Sequence, residues 1–287
     1  LNMPEQVWDL PFESRVEFAR PGFGKERWSE ESNRPAAFDW PCPVRIGPEA
    51  SRLSSLNRGN EGQTGLSSPK RYLWDDRKRL SPWRFNLATD PDGLVIGDFL
   101  RHLSEDGNVI SASGQGEEVM SALFSRASLF TFFLLEVLLQ ARSQMNSFAA
   151  REGREEKLVP RRLANLILTL PPAMPPEEVR AVRARADAAI HLLRDVTNGM
   201  GARPRSLAEA AEAQREKRMD IGVEAKLDEA TATQIVFLYD QISQVYRGDA
   251  PLYFAVAGTP RARGVDPKPK PSLRIASIDV GGGTTDL

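Results

Sequence analysis

The sequence is poor in the residues that most often carry redox and metal chemistry. Cys42 is its single cysteine, and His102 and His191 are its only histidines. A disulfide framework is excluded, and a Cys/His metal cluster has too few ligands. Nothing in the sequence sets either imidazole beside Cys42 or a candidate serine, so a nucleophile working with histidine is not expected. All three residues read as structural. Net charge is also lacking: 38 basic and 39 acidic side chains leave a formal charge of -1, which gives no global field for nucleic acid or an anionic membrane. Long apolar runs are missing too. The most apolar stretch, residues 129–139, is interrupted by Glu136 and flanked by Arg126 and Arg142, and it is too short to span a bilayer. Neither a membrane nor a nucleic acid is expected as a partner. A P-loop is absent, because Gly22-Phe23-Gly24-Lys25 lacks the required spacing. No charged-then-apolar signal pattern follows Leu1, so a cytoplasmic location is expected.

What is present is ordinary folded material. The chain has 287 residues, 41% hydrophobic and 27% charged, enough for one large domain or two moderate ones. It starts at Leu1 and stops inside a motif, which reads as a piece of something longer. Residues 1–115 are expected to form a loop-rich segment and small subdomain, with a short edge strand at Val44 and Ile46 between Pro41, Pro43 and Pro48, and a polar loop over 59–68. A strand is expected from Leu94, passing into a helix through Leu103. Residues 116–287 are expected to form an α/β lobe. Apolar residues at helical spacing predict a long helix over 117–148, buried against a sheet. Leu166-Ile167-Leu168-Thr169-Leu170 reads as a fully buried strand stopped by Pro171. Pro176, Glu177 and Glu178 open a helix ended by Asn198-Gly199. Residues 207–218 read as a helical insertion, 221–227 as a strand, 231–246 as a helix with its stripe at Ile235, Leu238, Ile242 and Val245, and 252–256 as a further strand. A basic, proline-rich linker over 258–271 and a last strand over 274–280 follow. Strands alternating with helices predict a mixed sheet covered by helices.

The most specific feature closes the chain: Ile278-Asp279-Val280-Gly281-Gly282-Gly283-Thr284-Thr285-Asp286-Leu287. Bound phosphates need close approach by consecutive backbone N–H groups, which Gly281, Gly282 and Gly283 permit. Thr284 supplies an oxygen near a terminal phosphate, and Asp279 a carboxylate for hydrated Mg²⁺. A triple glycine after a strand is also what a plain hairpin turn looks like.

At these residues the chain resembles the actin, Hsp70 and sugar-kinase superfamily, whose second phosphate motif is similar to 279–286. Residues 166–171 with the helix from Glu177 resemble the strand, proline and helix of the Hsp70 and MreB lobe. Asp228-Glu229-Ala230-Thr231-Ala232 resembles their Glu-Pro-Thr-Ala-Ala helix opening, with Ala230 in place of proline. Ile46-Gly47-Pro48-Glu49-Ala50 and Ser68-Pro69-Lys70-Arg71 resemble two shorter Hsp70 segments. More narrowly, residues 64–75, 168–178 and 276–287 resemble the bacterial SrfB virulence-factor family.

The resemblance implies an actin-like, ribonuclease H-like ATPase lobe, incomplete because no first phosphate motif follows Leu1 and no adenosine lobe follows Leu287. It implies ATP and Mg²⁺ as cofactors. Asp279 and Glu229 would organise the metal and the attacking water, Gly281 to Asp286, including Thr285, would hold phosphates, and Lys70 would approach the γ-phosphate. Pro171 would sit at the hinge. The expected function is Mg-ATP binding and hydrolysis driving lobe movement in the full-length protein, the isolated piece being inactive. The alternative is a non-catalytic actin-like scaffold or filament-forming protein with protein partners.

Overall fold

The computed structural model describes residues 12–20, 22–23, 28–29, 34–35, 38–40, 42–56, 62–90, 93–96, 98–110, 121–153, 157–199, 221–260, 271–273, 275, 279–280 and 285–286. The chain divides into two units, Leu1–Ala164 with Arg180–Ile221 and Asn165–Val179 with Gly222–Leu287.

In the first unit β1 (Arg15–Phe18) is followed by four two-residue strands, β2 (Gly22–Phe23), β3 (Trp28–Ser29), β4 (Arg34–Pro35) and β5 (Phe38–Asp39). β2 pairs with β5 and β3 with β4, all antiparallel. β6 (Val44–Ile46) and β7 (Gly65–Ser67) flank β1 in an antiparallel sheet of order β6-β1-β7, with Val16 opposite both Ile46 and Leu66. β6 is the edge strand foreseen between the prolines. The polar loop expected over 59–68 instead contains β7, because its pairing partner lies some fifty residues upstream and leaves no local trace. Gly47, at φ +59° with the Phe12 ring against it, turns β6 into helix α1 (Gly47–Leu56).

Helix α2 (Arg126–Met145) is shorter than the 117–148 expected. Ser125 caps it by accepting the Ser128 N–H at 3.1 Å, which sets its start. Eleven of its residues are buried, Phe130, Phe132 and Leu135 among them, and it packs on β6. Phe18, Trp83, Phe124 and Phe132 form the aromatic centre of the core, with Phe18–Trp83 and Phe124–Phe132 centroids 5.5 and 5.1 Å apart. Full burial of such a ring contributes about 3 kcal/mol. Strands β1 and β6 and helix α2 thus share one core. Short α3 (Phe148–Arg151) follows, capped by Ser147. The strand expected from Leu94 is reduced to an isolated bridge between Arg84 and Leu94, then a 3-10 turn over Asp98–His102.

Helix α4 (Pro176–Gly199) has the proline start and glycine end that its sequence predicts. From Arg180 it belongs to the first unit, and it buries Val182, Ala186, Ala189, Ile190 and Leu193, one stripe at helical spacing.

In the second unit β8 (Asn165–Leu170) and β9 (Gly222–Asp228) run parallel, Leu170 opposite Asp228. β8 is not the fully buried strand expected: Leu170 alone is buried and Ile167 is 59% exposed. A parallel strand buries both faces only where helices cover the sheet on each side. β9 passes directly into helix α5 (Glu229–Asp240), which packs on both strands and ends in a π-turn over Gln241–Val245. Its apolar stripe is unburied: Ile235 and Val245 are exposed, Leu238 and Ile242 half-exposed.

The expected strand at 252–256 is instead helix α6 (Ala250–Ala257). Asp249 caps it by accepting the Leu252 N–H at 2.9 Å, and Pro251 fits its first turn. Short apolar runs read equally as strand or helix, and the cap decides. β10 (Thr259–Pro260) pairs with β11 (Pro271–Ser272), and β12 (Asp279–Val280) with β13 (Thr285–Asp286). Of the last strand expected over 274–280, the described part in strand is β12. The insertion at 207–218 and linker residues 261–270 lie outside the described residues.

The fold is mixed α/β. The single mixed sheet expected is not formed among the described residues, whose strands pair into one three-stranded and five two-stranded sheets. Among them, no helix is long and apolar enough to cross a membrane.

Candidate functional site

The parallel pair β8 and β9 brings two sequence-predicted residues together. Because Leu170 and Asp228 are register partners, Pro171 and Glu229 leave the carboxyl ends of neighbouring strands side by side. Pro171 ends β8 and its carbonyl accepts the Met174 N–H at 3.0 Å, a turn leading to α4. Glu229 is the first residue of α5, half-exposed, with its own interaction partner.

Asp228, the residue before it, is committed to the cap. One oxygen accepts the Thr231 N–H at 2.7 Å and the other the Thr231 hydroxyl at 2.7 Å. These bonds hold the Asp228 carboxyl below its ordinary range. Two carboxylates at this helix N-terminus oppose a phosphate there, which the positive helix end would otherwise attract. Glu229 is therefore suited to holding water or a hydrated cation.

Asp279 is the register partner of Asp286, and Val280 of Thr285, so the terminal motif is an antiparallel hairpin. Gly281, Gly282, Gly283 and Thr284 lie outside the described residues. A hairpin agrees with the phosphate-turn reading and with a plain turn alike. Lys70 belongs to the first unit, half-exposed on a 3-10 turn over Pro69–Tyr72 that follows Ser68 at φ 48°. It has an interaction partner of its own.

Among the described residues no group of three or more His, Cys, Asp or Glu side chains is placed to hold a metal. Mg²⁺ commonly keeps most of its waters and takes one or two carboxylates, so a donor set built on Glu229 fits that ion. Cys42 is buried, and burial followed by the nearby Glu136 charge pushes its thiol well above the ordinary range, as for an inert core residue.

Sequence reasoning missed the buried polar centre of the first unit. Glu17, 1% exposed, accepts the Thr64 hydroxyl at 2.5 Å and Asn86 Nδ2 at 2.8 Å on one oxygen, while Arg15 Nε stands 3.6 Å from the other. The alternation in Arg15-Val16-Glu17-Phe18 reads as a strand with one wet face, and nothing local shows that both faces are covered.

The class the structure defines is a mixed α/β protein of two units with a short parallel strand pair feeding a capped helix. Compared with known families, it matches virulence factor SrfB over residues 1–287. The chain belongs to that family. No curated protein and no solved structure matches it.

Proposed function

We propose that this SrfB-family chain contributes one wall of a Mg-ATP site of the actin-like kind and that the complete protein hydrolyses ATP. The observation that carries this reading is the paired exit of Pro171 and Glu229 from the carboxyl ends of β8 and β9, where ligands of open α/β sheets bind. Between the paired ends Asp279–Val280 and Thr285–Asp286, the sequence Gly281-Gly282-Gly283-Thr284 would offer the backbone amides that a polyphosphate requires.

In this reading the glycine amides would hold phosphate oxygens and the Asp279 carboxylate would hold a hydrated cation. Glu229 would orient the attacking water. Bound Mg²⁺ would supply charge neutralisation across the phosphates. Titration of the complete protein with Mg-ATP tests it, with Asp279→Ala as the control. Saturable binding lost in that variant supports the site, and equal binding by both proteins rejects it.

A second reading, an actin-like scaffold with protein partners, is favoured by the exposed Val236, Phe237 and Tyr239 on α5 and Val256 on α6. Unchanged assembly in an Asp279→Ala protein that has lost turnover would favour it.

A further inference from the structure

We propose that the strap over residues 71–80, in the first unit, seats this chain on an anionic lipid surface. Trp74 and Leu80 enter the interface, and Arg71 and Arg77 meet the headgroups.

Backbone bonds lay the strap along the start of α2. The Ala127 N–H donates to the Asp75 carbonyl at 3.0 Å, the Arg79 N–H to the Leu123 carbonyl at 2.9 Å, and the Trp83 N–H to the Ala122 carbonyl at 2.9 Å. On the inner side Leu73 and Trp83 are buried, and the Arg79 guanidinium lies 3.8 Å over the Trp83 ring. The outer side is left with Trp74, 75% exposed, and Leu80, 105% exposed, beside the exposed Arg71 and Arg77.

Tryptophan is on average a well-buried side chain, and its indole N–H needs a partner wherever water is lost. Trp74 Nε1 donates to the Arg71 carbonyl at 3.1 Å. The polar atom is satisfied within its own turn, so the ring can leave water without stranding a donor. Indole rings of this kind settle at the headgroup level of a bilayer. Leu80 decides between phases. At full exposure it stands clear of the surface, where a soft apolar phase can close around it. A single-stranded nucleic acid would stack on Trp74 but gives nothing to leucine, which has no ring face.

The charge of the strap suits an anionic partner. The formal charge of the whole chain is -1, so attraction has to come from a local patch. Two acids lie in the same run, and both are engaged: Asp75 pairs with Arg126 at 3.1 Å, and Asp76 lies near enough to Arg185 to act on its charge. Among the described residues Arg71 and Arg77 have no ion-pair partner. Their long apolar stems let the charged heads stay with the headgroups while the strap sinks.

Co-sedimentation of the complete chain with vesicles of phosphatidylserine and phosphatidylcholine, against phosphatidylcholine alone, tests the surface at low and high salt. The expected result is saturable binding to the anionic vesicles only, weakened by salt. Arg71→Gln and Arg77→Gln are each expected to bind about fivefold more weakly. The double variant Trp74→Ser with Leu80→Ser is expected to lose at least about tenfold. Brominated acyl chains are expected to quench part of the tryptophan emission, and that part is missing in Trp74→Phe.

Absence of binding to anionic vesicles overturns the proposal, as does wild-type affinity in the double variant. Retention on polyuridylate without vesicle binding assigns the strap to nucleic acid and overturns it too. The substituted side chains are exposed, so an unchanged Tm is expected in every variant. Should the double variant fail to fold, bromine quenching in wild type against Trp74→Phe decides.

Discussion

The indole Nε1 of Trp40 donates to Glu136 Oε2 at 2.7 Å, joining two points 96 residues apart in the chain. Gln140 Nε2, one helical turn on, donates to the other oxygen at 2.9 Å. Burial raises the Glu136 carboxyl above its ordinary 4.5, while the Trp40 and Gln140 donors and the Arg45 charge oppose that rise. The folded protein therefore holds this proton more readily than the unfolded chain. Ionising Glu136 costs stability, and the loss sets in as pH rises above 4.5.

Glu136→Gln cannot titrate. Its Tm, relative to wild type, is expected to climb as pH rises from 4.5 and to level off once the folded carboxyl has ionised. Thermal unfolding across that range measures it. Trp40→Phe removes one donor from a buried carboxylate and is expected to cost about 1–3 kcal/mol at neutral pH.

Asn86 Nδ2 serves both Glu17 at 2.8 Å and the Leu53 carbonyl at 3.0 Å, and so ties β1 to α1. Asn86→Ala leaves both acceptors short of a donor. Denaturant unfolding is expected to show a loss of about 3 kcal/mol, against about 1 kcal/mol for an exposed hydrogen bond.

Gly65 has no room for a side chain. A Cβ there would collide with the Glu17 carboxylate and the Val16 carbonyl, and the second is backbone that cannot swing aside. Gly65→Ala is expected to separate β7 from β1 and to cost about 3 kcal/mol or more, read as a lowered unfolding midpoint.

These positions show where the fold could be read from the sequence and where it could not. Proline at 176 and glycine at 199 mark α4, and the short strand at Val44 and Ile46 stands between prolines; both signals are local. Gly65–Ser67 is a strand because Arg15–Glu17 pairs with it, and no property of residues 65–67 predicts that. At 252–256 the apolar run suited either period, and the Asp249 cap settled it. At the candidate site, Pro171 and Glu229 were both legible as residues. Their adjacency depends on the parallel register of Leu170 with Asp228, which no short segment encodes. The join between the end of α2 and the segment before β8 was hidden for the same reason, since the Arg142 and Arg161 carbonyls meet at the side chain of Asn146.

Asp228 caps α5 through both oxygens, and those bonds lower its pKa from 3.8. A lowered carboxyl stabilises the fold above the unfolded value, and the contribution is lost as pH falls through the folded one. Asp228→Ala is expected to speed hydrogen exchange at the Thr231 amide at neutral pH, with the difference from wild type vanishing in acid.

The central claim is that the Asp279 hairpin and Glu229 serve Mg-ATP. Calorimetric titration of the complete protein with Mg-ATP, beside Asp279→Ala and Glu229→Gln, tests it most directly. The account predicts saturable binding by wild type, at least about tenfold weaker binding by Asp279→Ala, and near-normal binding with reduced turnover by Glu229→Gln. Absence of binding by the wild type, or equal affinity in Asp279→Ala, would contradict it.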